Sequence, residues 1–256
     1  MPKKQMFSVI LLSVFLLSSC TTMDTKRTEI AAIKMQMGIS EIQKNNLPEA
    51  LRLLLEAEEL NNKDSFIQNN LGLVYFLRKR YDQSIKHFSR AIELNDKFSE
   101  ARNNLARVYI EIKQYQKAET LLNIVVEDLT FSGYVSSYNN MGLVKFNLKK
   151  YDEALSYLTK SVESFREDCF SQLYLGRTFL ELKKNKLAAA RLDMAAYFCR
   201  QSQIDEAHYY GGIAYYRLGR IDQSLNRFND VIKLFENGMN KENAKEMIQM
   251  IEKDLR

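Results

Sequence analysis

The sequence predicts an all-α solenoid of about six helical hairpins stacked in a row, and three observations predict it. Small residues recur at a near-constant spacing, with large apolar residues at fixed offsets after them. Helix-favouring Leu, Ala, Glu, Lys and Arg are abundant. Helix-breaking proline is almost absent, at 2 in 256 residues. The 46% hydrophobic fraction is enough to fill a core, so a disordered chain is not expected.

Before the repeats stands a leader. Lys3 and Lys4 form a positive n-region, and Phe7 to Leu17 form a short apolar run. Crossing a bilayer takes ~20 apolar residues, so this run reads as a cleaved signal and not as a lasting anchor. It ends in Leu17-Ser18-Ser19-Cys20. That stretch resembles the bacterial lipobox, in which the cysteine is acylated and becomes the new N-terminus. The resemblance implies a signal peptide over 1–19, lipid on Cys20 and a polar tether over 20–30. Thr21, not Asp, follows the cysteine, which resembles the pattern sent to the outer membrane, with the protein facing the periplasm. Multiple acyl chains hold a soluble domain firmly at a membrane surface.

From residue 31 the chain repeats. Gly38, Gly72, Ala106, Gly142, Gly176 and Gly212 are spaced by 34, 34, 36, 34 and 36 residues. Twelve residues after each lies a second small residue: Ala50, Ser84, Ala118, Ala154, Ala188 and Ser224. Four further on sit Leu54, Phe88, Leu122, Leu158, Leu192 and Phe228. A small residue on each helix lets the two helices of a hairpin approach closely, and the large residues fill the seam between hairpins. A single hairpin cannot bury its own apolar stripe, so several must stack.

Leu71-Gly72 with Tyr75, and Leu175-Gly176 with Phe179, resemble the tetratricopeptide repeat. The resemblance implies a right-handed superhelix of hairpins over about 31–64, 65–98, 99–134, 135–168, 169–204 and 205–238. A last amphipathic helix over 239–256 would cap it. Lys145 and Asn185 stand where the repeat usually has an aromatic residue.

Several functional classes find no residues. The net charge is only +5, and the leader carries two of those charges, leaving +3 with acids and bases interleaved. No basic cluster for nucleic acid is present. His87 and His208 have no ligand partners at metal spacing. His87 reads as a partly exposed packing residue. No nucleophile motif and no phosphate-cradling loop occurs. An enzyme, a cofactor, a metal and a small-molecule substrate are therefore not expected.

What the pattern does offer is a protein-binding groove. In a tetratricopeptide solenoid the first helices of the hairpins line it. Asn69-Asn70, Asn103-Asn104 and Asn139-Asn140 form a ladder there, and an amide can pair with both groups of a peptide backbone. Asn69, Asn103 and Asn139 are expected to be exposed in the groove. Asn70, Asn104 and Asn140 match a repeat-consensus residue and are equally open to a structural reading. Phe66, Leu73, Arg107, Leu143 and Phe146 lie nearby in register. Beyond the fourth repeat, Tyr174, Tyr209 and Tyr210 replace the ladder.

Three cysteines occur, and lipid would consume one. An oxidising compartment then favours a disulfide between Cys169 and Cys199, which fall at the same end of an antiparallel hairpin. Two buried thiols are the rival reading.

A lipoprotein whose mature chain is almost wholly six such repeats resembles the type IV pilus biogenesis pilotins. The stretch from Leu129 to Val162, with its Asn-Met-Gly-Leu-Val helix, is the most suggestive. The resemblance implies that the chain binds an unassembled secretin subunit and promotes its localisation and multimerisation. The alternative is another envelope repeat lipoprotein, an adaptor for peptidoglycan enzymes or for outer-membrane protein assembly.

Overall fold

The structure is a computed structural model that describes residues 25–202 and 204–255. The leader and Cys20 lie outside the described residues. Among the described residues there are thirteen helices and no strand. The chain forms two compact units, divided between Val108 and Tyr109.

Unit 1 contains α1 (25–43), α2 (Leu47–Leu60), α3 (Ser65–Leu77), α4 (Tyr81–Leu94) and most of α5 (Ser99–Glu111). The first helix is already formed at residue 25, the first described residue, inside the stretch read from sequence as a tether. The core of this unit joins Ala31, Ala50, Leu54 and Ala57 to Ile67, Leu71 and Val74. Asp64 caps α3, its carboxylate accepting from the Phe66 and Ile67 amides at 2.8 and 3.2 Å.

Unit 2 holds the end of α5 and then α6 (Tyr115–Val125), α7 (Tyr134–Asn147), α8 (Tyr151–Ser164), α9 (Cys169–Glu181) and α10 (Asn185–Phe198). It continues with α11 (Glu206–Arg217), α12 (Ile221–Leu234) and α13 (Lys241–Asp254). Each hairpin packs on the next: α7 with α8 touches α9, and α9 with α10 touches α11. The capping helix α13 closes over α12, with Ala244 and Ile251 against Phe228 and Val231. Asp205, 2% exposed, fixes its entry by accepting from the Asn240 amide at 2.7 Å and its side-chain Nδ2 at 2.9 Å.

The repeat register is enforced by contact. A Cβ on Gly142 would fall 2.5 Å from Leu158 Cγ, and one on Gly212 would fall 2.6 Å from Phe228 Cε1. The second small residue also varies for a reason. Where the large residue is Phe88 or Phe228, the small one is serine, and its hydroxyl donates to the first glycine's carbonyl: Ser84 to Gly72 at 2.8 Å, Ser224 to Gly212 at 2.9 Å.

A second periodic feature lies in the hairpin turns. Asn45, Lys79, Lys113, Lys149, Lys183 and Gly219 all have φ between 56° and 70°. Each stands seven residues after the first small residue of its repeat. This left-handed conformation disfavours any residue with a Cβ, and only the last turn uses glycine. Replacing Lys79 or Lys149 by glycine is therefore expected to stabilise the chain by roughly 0.5–1 kcal/mol. Placing alanine at Gly219 is expected to cost a similar amount. Thermal melts of the three variants check both signs.

Candidate functional site

The asparagine ladder is not an exposed recognition surface. Asn69 is 2% exposed, Asn103 4% and Asn104 8%. Asn69 Nδ2 donates to Glu100 Oε1 at 3.1 Å, and its Oδ1 accepts from Asn104 Nδ2 at 3.1 Å. In unit 2, Asn139 Nδ2 donates to Asp168 Oδ2 at 2.7 Å, on the carboxylate that also caps α9 through the Ser171 amide. The expectation of free groove amides is thus corrected. Asn69 and Asn139 each face an acid at the start of the following first helix, about 30 residues on, and strut one hairpin against the next. Burial without such partners would leave each amide unsatisfied at a cost of several kcal/mol. Asn70 turns back to its own helix, donating to the Phe66 carbonyl at 2.8 Å, and Asn140 is half-buried.

His87 is also deeper than expected. It is buried, stacked on Tyr75 with ring centroids 5.2 Å apart, and its Nδ1 lies 2.8 Å from Gln68 Oε1. Burial holds its imidazole below the ordinary histidine range. Lys145 fills its aromatic position by burying an ion pair, bonded to Glu119 of α6 at 2.7 Å and to Glu153 of α8.

Of the remaining groove residues, Phe66 is 53% exposed and packs on Phe98, while Leu73 and Leu143 are half-buried. Arg107 lies over the Phe76 ring, 5.0 Å from its centroid. The same device recurs in unit 2, where Arg177 lies over Phe146 at 4.8 Å. In both, the arginine follows the small residue of one repeat and stacks on the aromatic residue four past the small residue of the repeat before.

In unit 2 this device grows into a cluster. The Arg177 guanidinium also lies 4.9 Å from the Tyr174 ring centroid and 4.4 Å from that of Tyr210. Phe146 meets Tyr174 edge-on at 5.4 Å, and Tyr209 abuts Tyr210 at 5.3 Å. The residues come from α7, α9 and α11, the first helices of three successive hairpins. Arg177 Nε is sealed from solvent and finds no acceptor among the described residues, so ring faces supply much of the guanidinium's support. Burial pushes the Tyr174 phenol above its ordinary range. Aromatic rings around a guanidinium make a composition typical of protein-interface hot spots. Sequence reasoning found Phe146, Tyr174, Tyr209 and Tyr210 but missed Arg177. The signal was present, since Arg177 shares the register of Leu73, Arg107 and Leu143.

A smaller aromatic surface flanks the cysteines. The structure joins Cys169 and Cys199 in a disulfide, with Cα atoms 5.1 Å apart. Phe165, Phe170 and Tyr197 are each at least half exposed there, and Arg200 lies 4.5 Å from the Tyr197 centroid. Among the described residues no cluster of His, Cys, Asp or Glu could hold a metal. No described helix is long and apolar enough to cross a membrane.

Models of the tetratricopeptide repeat match residues 63–127, 135–168 and 206–238, just over half of the chain together. No curated protein sequence matches it. Among solved structures, PilF of Pseudomonas aeruginosa superposes with a TM-score of 0.76 at 18% identity, covering 87% of this chain and 99% of PilF. PilW, described as a widely conserved type IV pilus biogenesis factor, gives 0.75 at 14% identity, covering 84% and 97%. YrrB, a repeat protein described as having an unusual peptide-binding site, gives 0.59 at 18%, covering 75% and 97%. At these identities the likeness is one of fold.

Proposed function

We propose that this chain, a member of the tetratricopeptide-repeat family, is a lipid-anchored periplasmic scaffold that promotes assembly of a type IV pilus secretin. Tetratricopeptide repeats are protein-interaction modules, and the chain is built of them. The observation that carries the finer reading is its likeness over almost the whole length of PilF and PilW, in a chain whose leader ends in Leu17-Ser18-Ser19-Cys20.

The proposed mechanism is holding, not bond chemistry. Acylated Cys20 keeps the scaffold on the periplasmic leaflet of the outer membrane. The first-helix face of unit 2, around Phe146, Tyr174, Arg177 and Tyr210, takes up an exposed segment of an unassembled secretin subunit. Rigid rings lose little conformational entropy on binding, and the stacked arginine offers charge at the edge of an apolar platform. Tethering raises the local concentration of captured subunits at the membrane, which favours ring closure without a new contact between them.

Deletion of the gene tests this reading. Heat-resistant secretin multimers and surface pili are expected to disappear, and a copy carrying Cys20→Ala is expected to restore them poorly. Unchanged multimers, with defects in cell shape or division, would replace the secretin reading by that of an adaptor for peptidoglycan enzymes.

A further inference from the structure

The terminal helices α1 and α13 treat solvent differently. The outermost helix of a stacked array needs a polar outer face, because no further hairpin packs on it. The last helix, α13, has a largely polar one, with Glu242, Asn243, Glu246, Gln249, Glu252 and Lys253 exposed beside Met250 at 39%. The first helix exposes Glu29 and Gln36 on its outward side but also a continuous apolar stripe. Its inner side buries Ala31 and Gly38 and lays Met35 and Ile42 on the unit 1 core. At about 100° per residue, Ile30, Ile33 and Met37 fall on the opposite side in one stripe, with Lys26 at its N-terminal end. Their exposures are 38%, 60% and 51%. The helix is held to α2 as it stands, since Arg27 Nη2 donates to the Glu59 carbonyl at 3.0 Å and Lys34 pairs with Glu56.

We infer that this stripe rests in the headgroup–acyl boundary of the leaflet that holds the Cys20 lipid. The inference depends on the anchor proposed above. Chain length selects the occupant. Four residues, 21–24, separate Cys20 from the first described residue of α1, a reach of at most ~17 Å. An apolar stripe tethered so close to a bilayer meets lipid at far higher local concentration than it meets a soluble partner. A helix lying in the interface sinks its apolar face ~5–10 Å, and the Lys26 ammonium stands at the end of the stripe where headgroups would receive it. Lipid contact on α1 would fix which side of unit 1 faces the membrane.

Site-directed spin labelling tests this in the acylated protein, reconstituted in vesicles of phosphatidylethanolamine and phosphatidylglycerol. With Cys20 acylated and Cys169 bonded to Cys199, a nitroxide attaches only where a cysteine is introduced. At Ile33→Cys and Met37→Cys, the ratio of collisions with oxygen to collisions with a water-soluble nickel chelate is expected to be severalfold higher than at Gln249→Cys. Equal ratios at the three positions overturn the inference. Spin–spin broadening at position 33 that grows with the protein-to-lipid ratio also overturns it, assigning the stripe to a second copy of the chain. The mass of the purified protein reads acylation separately. An unacylated Cys20 refutes the anchor and this inference with it, whereas an acylated protein with a water-exposed stripe refutes only this inference.

Discussion

Reducing the Cys169–Cys199 disulfide, or replacing both cysteines by serine, is expected to destabilise unit 2 by about 3.5 kcal/mol. The bond closes a loop with a sequence separation of 30 residues. A cross-link of that length stabilises mainly by restricting the unfolded chain, and the loop-length relation gives this magnitude. The loss should also be local. Hairpins of a stacked array contact only their neighbours, so protection is lost first in α9 and α10. Hydrogen exchange with and without reductant measures this. Protection falling in α9 and α10 while α3 and α4 keep theirs is the expected result, and uniform loss over the chain would contradict it. Phe170 and Phe198 adjoin the two cysteines, so the exposed aromatic surface around Tyr197 should loosen with them.

Glu119→Ala is expected to cost about 3 kcal/mol, while Lys145→Met is expected to cost far less. The asymmetry follows from who is left behind. Removing Glu119 leaves the buried Lys145 ammonium with Glu153 alone, whose side chain is 51% exposed. Removing Lys145 leaves Glu119 with Lys150 at 2.8 Å, and puts an apolar side chain in an aromatic register position. The pH dependence has a definite sign at each end. Burial opposes ionisation of Glu119, but hydrogen bonds from Lys145 and Lys150 outweigh it and hold the carboxyl below its ordinary 4.5. Its contribution is present above that value and is lost as pH falls through the folded one. Burial likewise opposes the charge on Lys145, but its bonds to Glu119 and Glu153 outweigh it and raise the pKa above 10.5. That contribution holds below the ordinary lysine range and is lost as pH rises through the folded value. Denaturant melts of the wild type and both variants across the acidic range separate the two variants.

The hairpin array was legible because its register is a steric requirement. A glycine whose Cβ would strike Leu158 or Phe228 leaves its mark in the sequence, and a small residue, glycine or Ala106, holds that register in every repeat. The cysteine pairing was legible from parity and from the antiparallel geometry of one hairpin. The facing of the asparagines was not. A repeat pattern fixes which residue stands at a position, but the acids that bond Asn69 and Asn139 stand about 30 residues away. The role of Lys145 at an aromatic position was hidden for the same reason, since Glu119 lies 26 residues before it. The left-handed turns left no mark because five of the six carry lysine or asparagine where glycine would have announced them. Arg177 was readable, and aligning Leu73, Arg107 and Leu143 one repeat further would have reached it.

The central claim is that the first-helix face of unit 2 holds a secretin subunit, and crosslinking in intact cells tests it most directly. A photoreactive phenylalanine analogue at Tyr210, beside Arg177, should capture the unassembled secretin subunit on illumination. The same analogue at Gln249, on the outer face of α13, should not. Arg177→Ala together with Tyr174→Ala should abolish the capture in a protein whose helical circular dichroism is retained. A Tyr210 adduct containing a peptidoglycan enzyme, or a secretin adduct of equal yield from Gln249, would contradict the account.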